Sequence, residues 1–248
     1  VYIKHFVKNK FKELILGHRY YHKPYIIDLH TRIVFYTTLF LIVGGGVLIY
    51  FLEGDNVMKD MSLKGKIVTS FFLSVTPRTA GFNTIPMGNL LPVTSLILMI
   101  LMWIGGSPAS TAGGIKTTTF AVSILNVINI ARGKTTINLF RREITHHSVH
   151  RAYGVMFLSL VIIMLGIIML NVYDGDKGML NIIFECFSAY GTVGLSLGIT
   201  NSLSEWSKVV LILLMYLGRV GTITIFVALL NSKDFVRYRY PFDNVFIN

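Results

Sequence analysis

Residues 189–198 read AYGTVGLSLG. Thr192-Val193-Gly194 suits a β-strand ending in a turn. It equally suits a bare backbone segment whose carbonyls hold a cation. The choice depends on what surrounds the segment and on whether it recurs. The apolar run before it, Met179–Ser188, is only ten residues long, whereas a helix needs about 20 to cross a bilayer. A segment that short must enter and return, with the motif as its return strand. Non-helical backbone at membrane depth must be buried in protein or line a water-filled path, because lipid satisfies neither N–H nor C=O.

Upstream, TPRTAGFNT (76–84) follows the short apolar run Ile67–Val75 in the same way. A shift of 113 residues lays Thr79-Ala80-Gly81-Phe82 on Thr192-Val193-Gly194-Leu195, and the same shift lays Gly105 on Gly218. Two independent motifs thus share one offset. Spanning runs precede them at Ile33–Leu52 and Tyr153–Val172, offset by 120, and the connectors absorb the difference. The plan is a span, a half-inserted segment with a loop, and a broken span, twice over (M1–P–M2). Repeats of this kind point to a pseudo-symmetric pathway between them. The expected fold class is an all-α polytopic membrane protein. Its segments are a cytoplasmic 1–32, a first repeat 33–131, a cytoplasmic loop 132–152, a second repeat 153–231 and a cytoplasmic tail 232–248.

Composition agrees with this plan. Of the 248 residues, 53% are hydrophobic and only 14% charged, against about 25% charged in soluble domains. The net charge of +11 does not indicate nucleic acid, because the basic residues sit in loops flanking apolar runs. The N-terminal stretch, the 131–151 loop and the tail hold 15 of the 23 Lys and Arg, and the three opposite connectors hold five. The positive-inside rule puts the first group, and both ends of the chain, in the cytoplasm. Cys186 is the only cysteine, so no disulfide forms within the chain.

A second irregularity is GGSPASTAGG, 105–114, between the apolar runs Leu90–Ile104 and Ile115–Ile130. Each run is about half a span. An unwound loop inside the membrane fits better than a flexible linker. Ser107, Ser110 and Thr111 offer it hydroxyl partners. Arg219 lies mid-span between two glycines, where a charge is expensive and usually functional. Lys116 either shares that role or snorkels to the inner surface. Arg78 cannot face a cation without repelling it, so it belongs behind the loop. Glu185 is a buried carboxylate that needs a partner; Arg78 and Arg219 are the candidates. The seven histidines all fall in cytoplasmic loops, and His146-His147 lacks the carboxylate or cysteine company of a metal site. There is no nucleophile–base pair, Walker loop or cofactor fingerprint, so no enzyme and no organic cofactor are expected.

SVTPRTAGFNT (74–84), GGSPASTAGGIKTTT (105–119), YGTVGLSLG (190–198) and YLGRVGTITI (216–225) resemble the Trk/Ktr/HKT superfamily of potassium transporters, over nearly the whole chain. The Ktr-type membrane subunits of bacteria are the nearest in pattern. The resemblance implies four M1–P–M2 repeats around one pore, of which this chain matches the third and fourth. The N-terminal half of the pore must then come from elsewhere. It further implies that the backbone at Thr79, Ala80, Gly81 and Phe82, and at Thr192, Val193, Gly194 and Leu195, forms half of a potassium filter. Rings of carbonyls there replace the ion's water shell, while Phe82 and Leu195 pack behind it. The implied gate comprises Gly105, Gly106, Ser107, Ser110, Thr111, Gly113, Gly114, Lys116 and Arg219. The implied partners are a second membrane subunit, a cytosolic nucleotide-binding regulatory ring (KtrA-like) and the lipid bilayer of a bacterial plasma membrane. Two rival readings are a secondary transporter built on inverted repeats and a non-transporting membrane scaffold. The first is disfavoured because both repeats run the same way, and the second has no need of two glycine-bearing re-entrant loops.

Overall fold

A computed structural model describes residues 28–108, 110–134, 137–140 and 142–221. Helix α1, Leu29–Glu53, comes first. A short α2, Leu63–Val75, starts at Ser62, whose hydroxyl accepts the Gly65 amide at 3.2 Å. Residues 76–86 then run without helix. Helix α3, Pro92–Trp103, opens on a proline, which needs no amide partner in a first turn. An irregular loop leads to α4, Thr117–Ala131.

The chain next forms a small antiparallel hairpin, β1 Ile137–Leu139 with β2 Arg142–Ile144. An all-helical reading does not foresee this hairpin, and it lies where a cytoplasmic loop is expected. Helix α5, His146–Asp174, begins at His146 rather than at Tyr153, so its first two turns precede the apolar run. A short α6, Met179–Tyr190, leads into residues 191–198, which again are not helical. Helix α7, Glu205–Val220, ends at Gly221 with φ of 89°. The expected continuation of this span to 231, the tail and residues 1–27 lie outside the described residues.

The two long helices, α1 and α5, are long and apolar enough to cross a membrane. Helix α2 packs against α1 where Gly45 and Gly46 meet Ser74 and Phe71. Small residues allow this approach, and Ser74 donates its hydroxyl to the Ile42 carbonyl at 2.8 Å. In the second half α5, α6 and α7 pack together, with Gly166 against Leu214. Helices α3 and α6 join the halves. One buried cluster contains Leu73 and Leu98 from the first half and Phe184, Val193 and Leu195 from the second. The opposite faces carry exposed Phe40, Phe51, Phe157 and Val172. Contiguous apolar exposure of that kind suits contact with lipid.

Candidate ion pathway

The two quoted motifs adopt matching backbones. Thr79 has φ of 63° and Thr192 of 51°; Gly81 has 73° and Gly194 has 90°. Glycine takes left-handed values freely, but a β-branched threonine there costs of order 1–3 kcal/mol and marks a constrained site. The constraint comes from the preceding short helix. The amides of Ala80 and Gly81 donate to the Thr76 carbonyl at 3.1 and 3.3 Å. Those of Thr192 and Val193 donate to Ala189 and Ser188, both at 2.9 Å. With the amides turned back, the carbonyls of Thr79, Ala80, Gly81, Thr192, Val193 and Gly194 receive no hydrogen bond among the described residues. Unsatisfied carbonyls at the ends of inward-pointing helices suit a cation.

The motifs also meet. A Cβ on Gly81 would collide with the Val193 carbonyl, whereas one on Gly194 would meet nothing within 4 Å. Leu195 is buried in the core beneath the motif. Phe82 does not pack behind it as expected. It is 70% exposed, because no element among the described residues covers its ring.

The glycine-rich segment is an excursion with a pinched neck. Gly105 N–H donates to Ile115 O at 2.9 Å, Ile115 N–H to Trp103 O at 3.0 Å, and Thr117 N–H to Gly106 O at 3.1 Å. This short parallel bridge fixes the ends of α3 and α4 against each other. Between them the loop rises to the second motif, where Gly113 N–H donates to the Thr192 hydroxyl at 3.2 Å. Ser110 donates its hydroxyl to Ser107 O at 2.6 Å. Two cations hold the loop from below. Lys116 Nζ donates to Ala112 O at 2.5 Å, and Arg219 donates to Thr111 O. Lys116 therefore turns back to the loop rather than snorkelling. Gly105 and Gly218, one repeat apart, both lie where a Cβ would strike backbone: the Gly113 carbonyl in one case and the Tyr190 carbonyl in the other.

Glu185 pairs with neither arginine. Its carboxylate accepts hydrogen bonds from the hydroxyls of Ser196 and Thr200, which lie just past the second motif. Hydroxyls within reach of one turn satisfy it more cheaply than a second buried charge would. Buried Nε and Nη2 of Arg78 have no partner among the described residues. No cluster of metal-ligating His, Cys, Asp or Glu is present among them either.

Sequence reasoning missed two acids. Glu53, at the end of α1, accepts the Leu91 amide at 2.9 Å and Asn56 Nδ2 at 2.8 Å. Asp174, at the end of α5, accepts the Ser204 amide at 3.0 Å and its hydroxyl at 2.8 Å. Leu91 and Ser204 are the capping residues immediately before α3 and α7, and they too stand 113 apart. In each half an acid thus ties the end of the long helix to the start of the broken one. An acid just after each first span was the available signal.

Comparison with known proteins agrees with this architecture. The TrkH family of cation transport proteins matches residues 24–238. The Ktr system potassium uptake protein B of Bacillus subtilis is 39% identical over 88% of this chain and 49% of its own length. The potassium/sodium uptake protein NtpJ of Enterococcus hirae is 35% identical over 92% of this chain and 52% of its own. The chain thus spans about half the length of these curated relatives. The crystal structure of the potassium transporter TrkH from Vibrio parahaemolyticus shares the fold, with a TM-score of 0.64 over 82% of this chain and 44% of that one, at 19% identity. On the family match and these relatives together, the chain belongs to the TrkH family of cation transport proteins.

Proposed function

We propose that this chain is one half of a potassium-selective uptake pore in a bacterial plasma membrane. The observation that carries the reading is the pair of Thr-X-Gly loops, each strained at its threonine, each with free carbonyls, in backbone contact with each other. The chain forms two tandem M1–P–M2 units. Two further units, from the stretch that the longer relatives carry, complete a ring of carbonyls that replaces the ion's water. Loop 105–114, held against Thr192 and tied down by Lys116 and Arg219, is the gate below that ring. Basic flanks put both ends of the chain in the cytoplasm. The complete protein pairs as a homodimer and takes its regulation from a cytosolic nucleotide-binding ring.

The test is potassium uptake by the full-length protein in cells that lack their own uptake systems. Gly194→Ser is the informative variant. The site has room for a side chain, so the protein should still insert. Serine nevertheless resists a φ of 90°, at about 1–2 kcal/mol, and relaxing that strain moves the carbonyls. The expected result is at least a several-fold loss of preference for potassium over sodium in competitive uptake. An unchanged ratio at normal expression would remove this segment from the filter.

A further inference from the structure

Where α4 ends and α5 begins, a cavity of about 430 Å³ opens, well away from the two Thr-X-Gly loops. Lys134, His146 and His150 line it, and Asn126, Ile130 and Tyr153 contribute to its wall. Among the described residues no carboxylate lines it. Its floor is already satisfied. Asn126 Nδ2 donates to the Tyr153 hydroxyl at 2.9 Å, which donates on to Ser123 O at 3.3 Å. His150 Nδ1 lies 2.8 Å from His146 O, and a carbonyl can only accept, so Nδ1 donates and Nε2 is left for an outside partner. In an imidazole that carries both protons, each ring nitrogen is a donor.

The depth of the cavity narrows the class of anion. Helix α5 has 29 residues, about 43 Å at 1.5 Å per residue, while the hydrocarbon layer is about 30 Å thick. The apolar run from Tyr153 fills that layer. The turns that carry His146 and His150 therefore stand at headgroup level. Apolar ledges lead away from the cavity along both helices. Ile130 is 64% exposed, Val127 lies one turn before it on the same face, and exposed Phe157 lies one turn beyond Tyr153. A basic pocket with apolar ledges fits a molecule with a phosphoryl head and acyl tails.

We infer that this cavity binds the phosphoryl headgroup of an anionic phospholipid, with its acyl chains against Ile130, Val127 and Phe157. The inference rests on the proposed function only in taking α5 to span the membrane. The test uses the full-length protein in mixed phosphatidylglycerol and phosphatidylcholine, with retained lipid counted by native mass spectrometry. Wild-type protein should retain phosphatidylglycerol in clear preference. Lys134→Gln should weaken retention about fivefold, the worth of one basic charge near an anionic surface. The triple variant Lys134→Gln, His146→Gln, His150→Gln should lose the preference. If the triple variant does not reach the membrane, the single change at exposed Lys134 still decides the matter. Retention equal to wild type in the variants overturns the site. Inorganic phosphate that stabilises lipid-free protein against heat as well as phosphatidylglycerol does would make the ligand a free phosphate and overturn the lipid assignment. Potassium uptake is measured in parallel. A protein that retains phosphatidylglycerol without transporting potassium upholds the lipid site and defeats the transport reading. One that transports without lipid preference does the reverse.

Discussion

In the proposed pore, Arg219 is the residue on which gating turns. It sits one position past Gly218, which has no room for a side chain, and it donates to the carbonyl of Thr111 in the loop. On the proposed reading its charge repels a passing cation, while its hydrogen bond holds the loop. Two unit charges 4 Å apart interact by about 4 kcal/mol at an effective dielectric near 20. Even a quarter of that slows passage several-fold, since about 1.4 kcal/mol is a factor of ten. Arg219→Ala is therefore expected to raise maximal potassium flux several-fold per inserted molecule. Because Glu185 is satisfied by Ser196 and Thr200, the change strands no buried carboxylate. The amount of inserted protein should stay constant, and a fall in protein with flux per molecule unchanged would count against this role. The left-handed threonines belong to the same scale. Nothing in the letters of Thr79 or Thr192 announces a positive φ. The conformation is imposed by the amides of the following residues folding back on the short helix.

Among the elements, the neck of the gate loop and the two acid ties are the parts that hold the rest in register. The loop leaves and re-enters through a three-bond bridge at 103–106 and 115–117. Removing residues 107–112 leaves that bridge whole while deleting the Thr111 and Ala112 carbonyls that Arg219 and Lys116 hold. If the loop is the proposed gate, potassium flux should then rise and lose its response to the proposed regulatory ring; flux that remains normal and regulated would reduce the segment to a linker. Glu53 and Asp174 each join the end of a long helix to the residue that caps the start of α3 or α7, respectively. Replacing either with alanine leaves a part-buried amide without its acceptor, at about 1 kcal/mol. Thermal unfolding in detergent should show a drop of a few degrees for each. The effects should be additive in the double variant, because the two ties lie in different halves and share no partner.

For the whole molecule, Arg78 gives the sharpest expectation. Two of its guanidinium nitrogens are buried and unpartnered among the described residues, at a cost of several kcal/mol if they stay so. The segments that complete the ring are expected to supply an acceptor. Arg78→Met should then stabilise this chain expressed by itself and destabilise the complete pore. Melting both forms side by side checks the sign, and the same direction in both would show that no acceptor arrives.

The helices, the re-entrant segments and the broken span were legible in the sequence because each is announced by the length of an apolar run. The two matching backbone turns were legible, since glycine spacing and the 113-residue shift reveal them. Side-chain pairings were not. Ser196 and Thr200 reach Glu185 only because of how the chain turns after Gly194, and a search for opposite charge pointed to arginines instead. The hairpin at 137–144 and the early start of α5 were hidden by reading their charges as loop. Phe82 looked like packing because phenylalanine usually packs, but none of the described elements covers its ring.

The contact between Gly81 and the Val193 carbonyl has a consequence in time. The two positions are 112 residues apart. At about 5–20 residues per second, a ribosome takes on the order of ten seconds to travel from one to the other. Through that interval the first loop is already synthesised, while the backbone it will rest against has not been made. The pace of translation between the two motifs thus sets how long the loop waits for its neighbour.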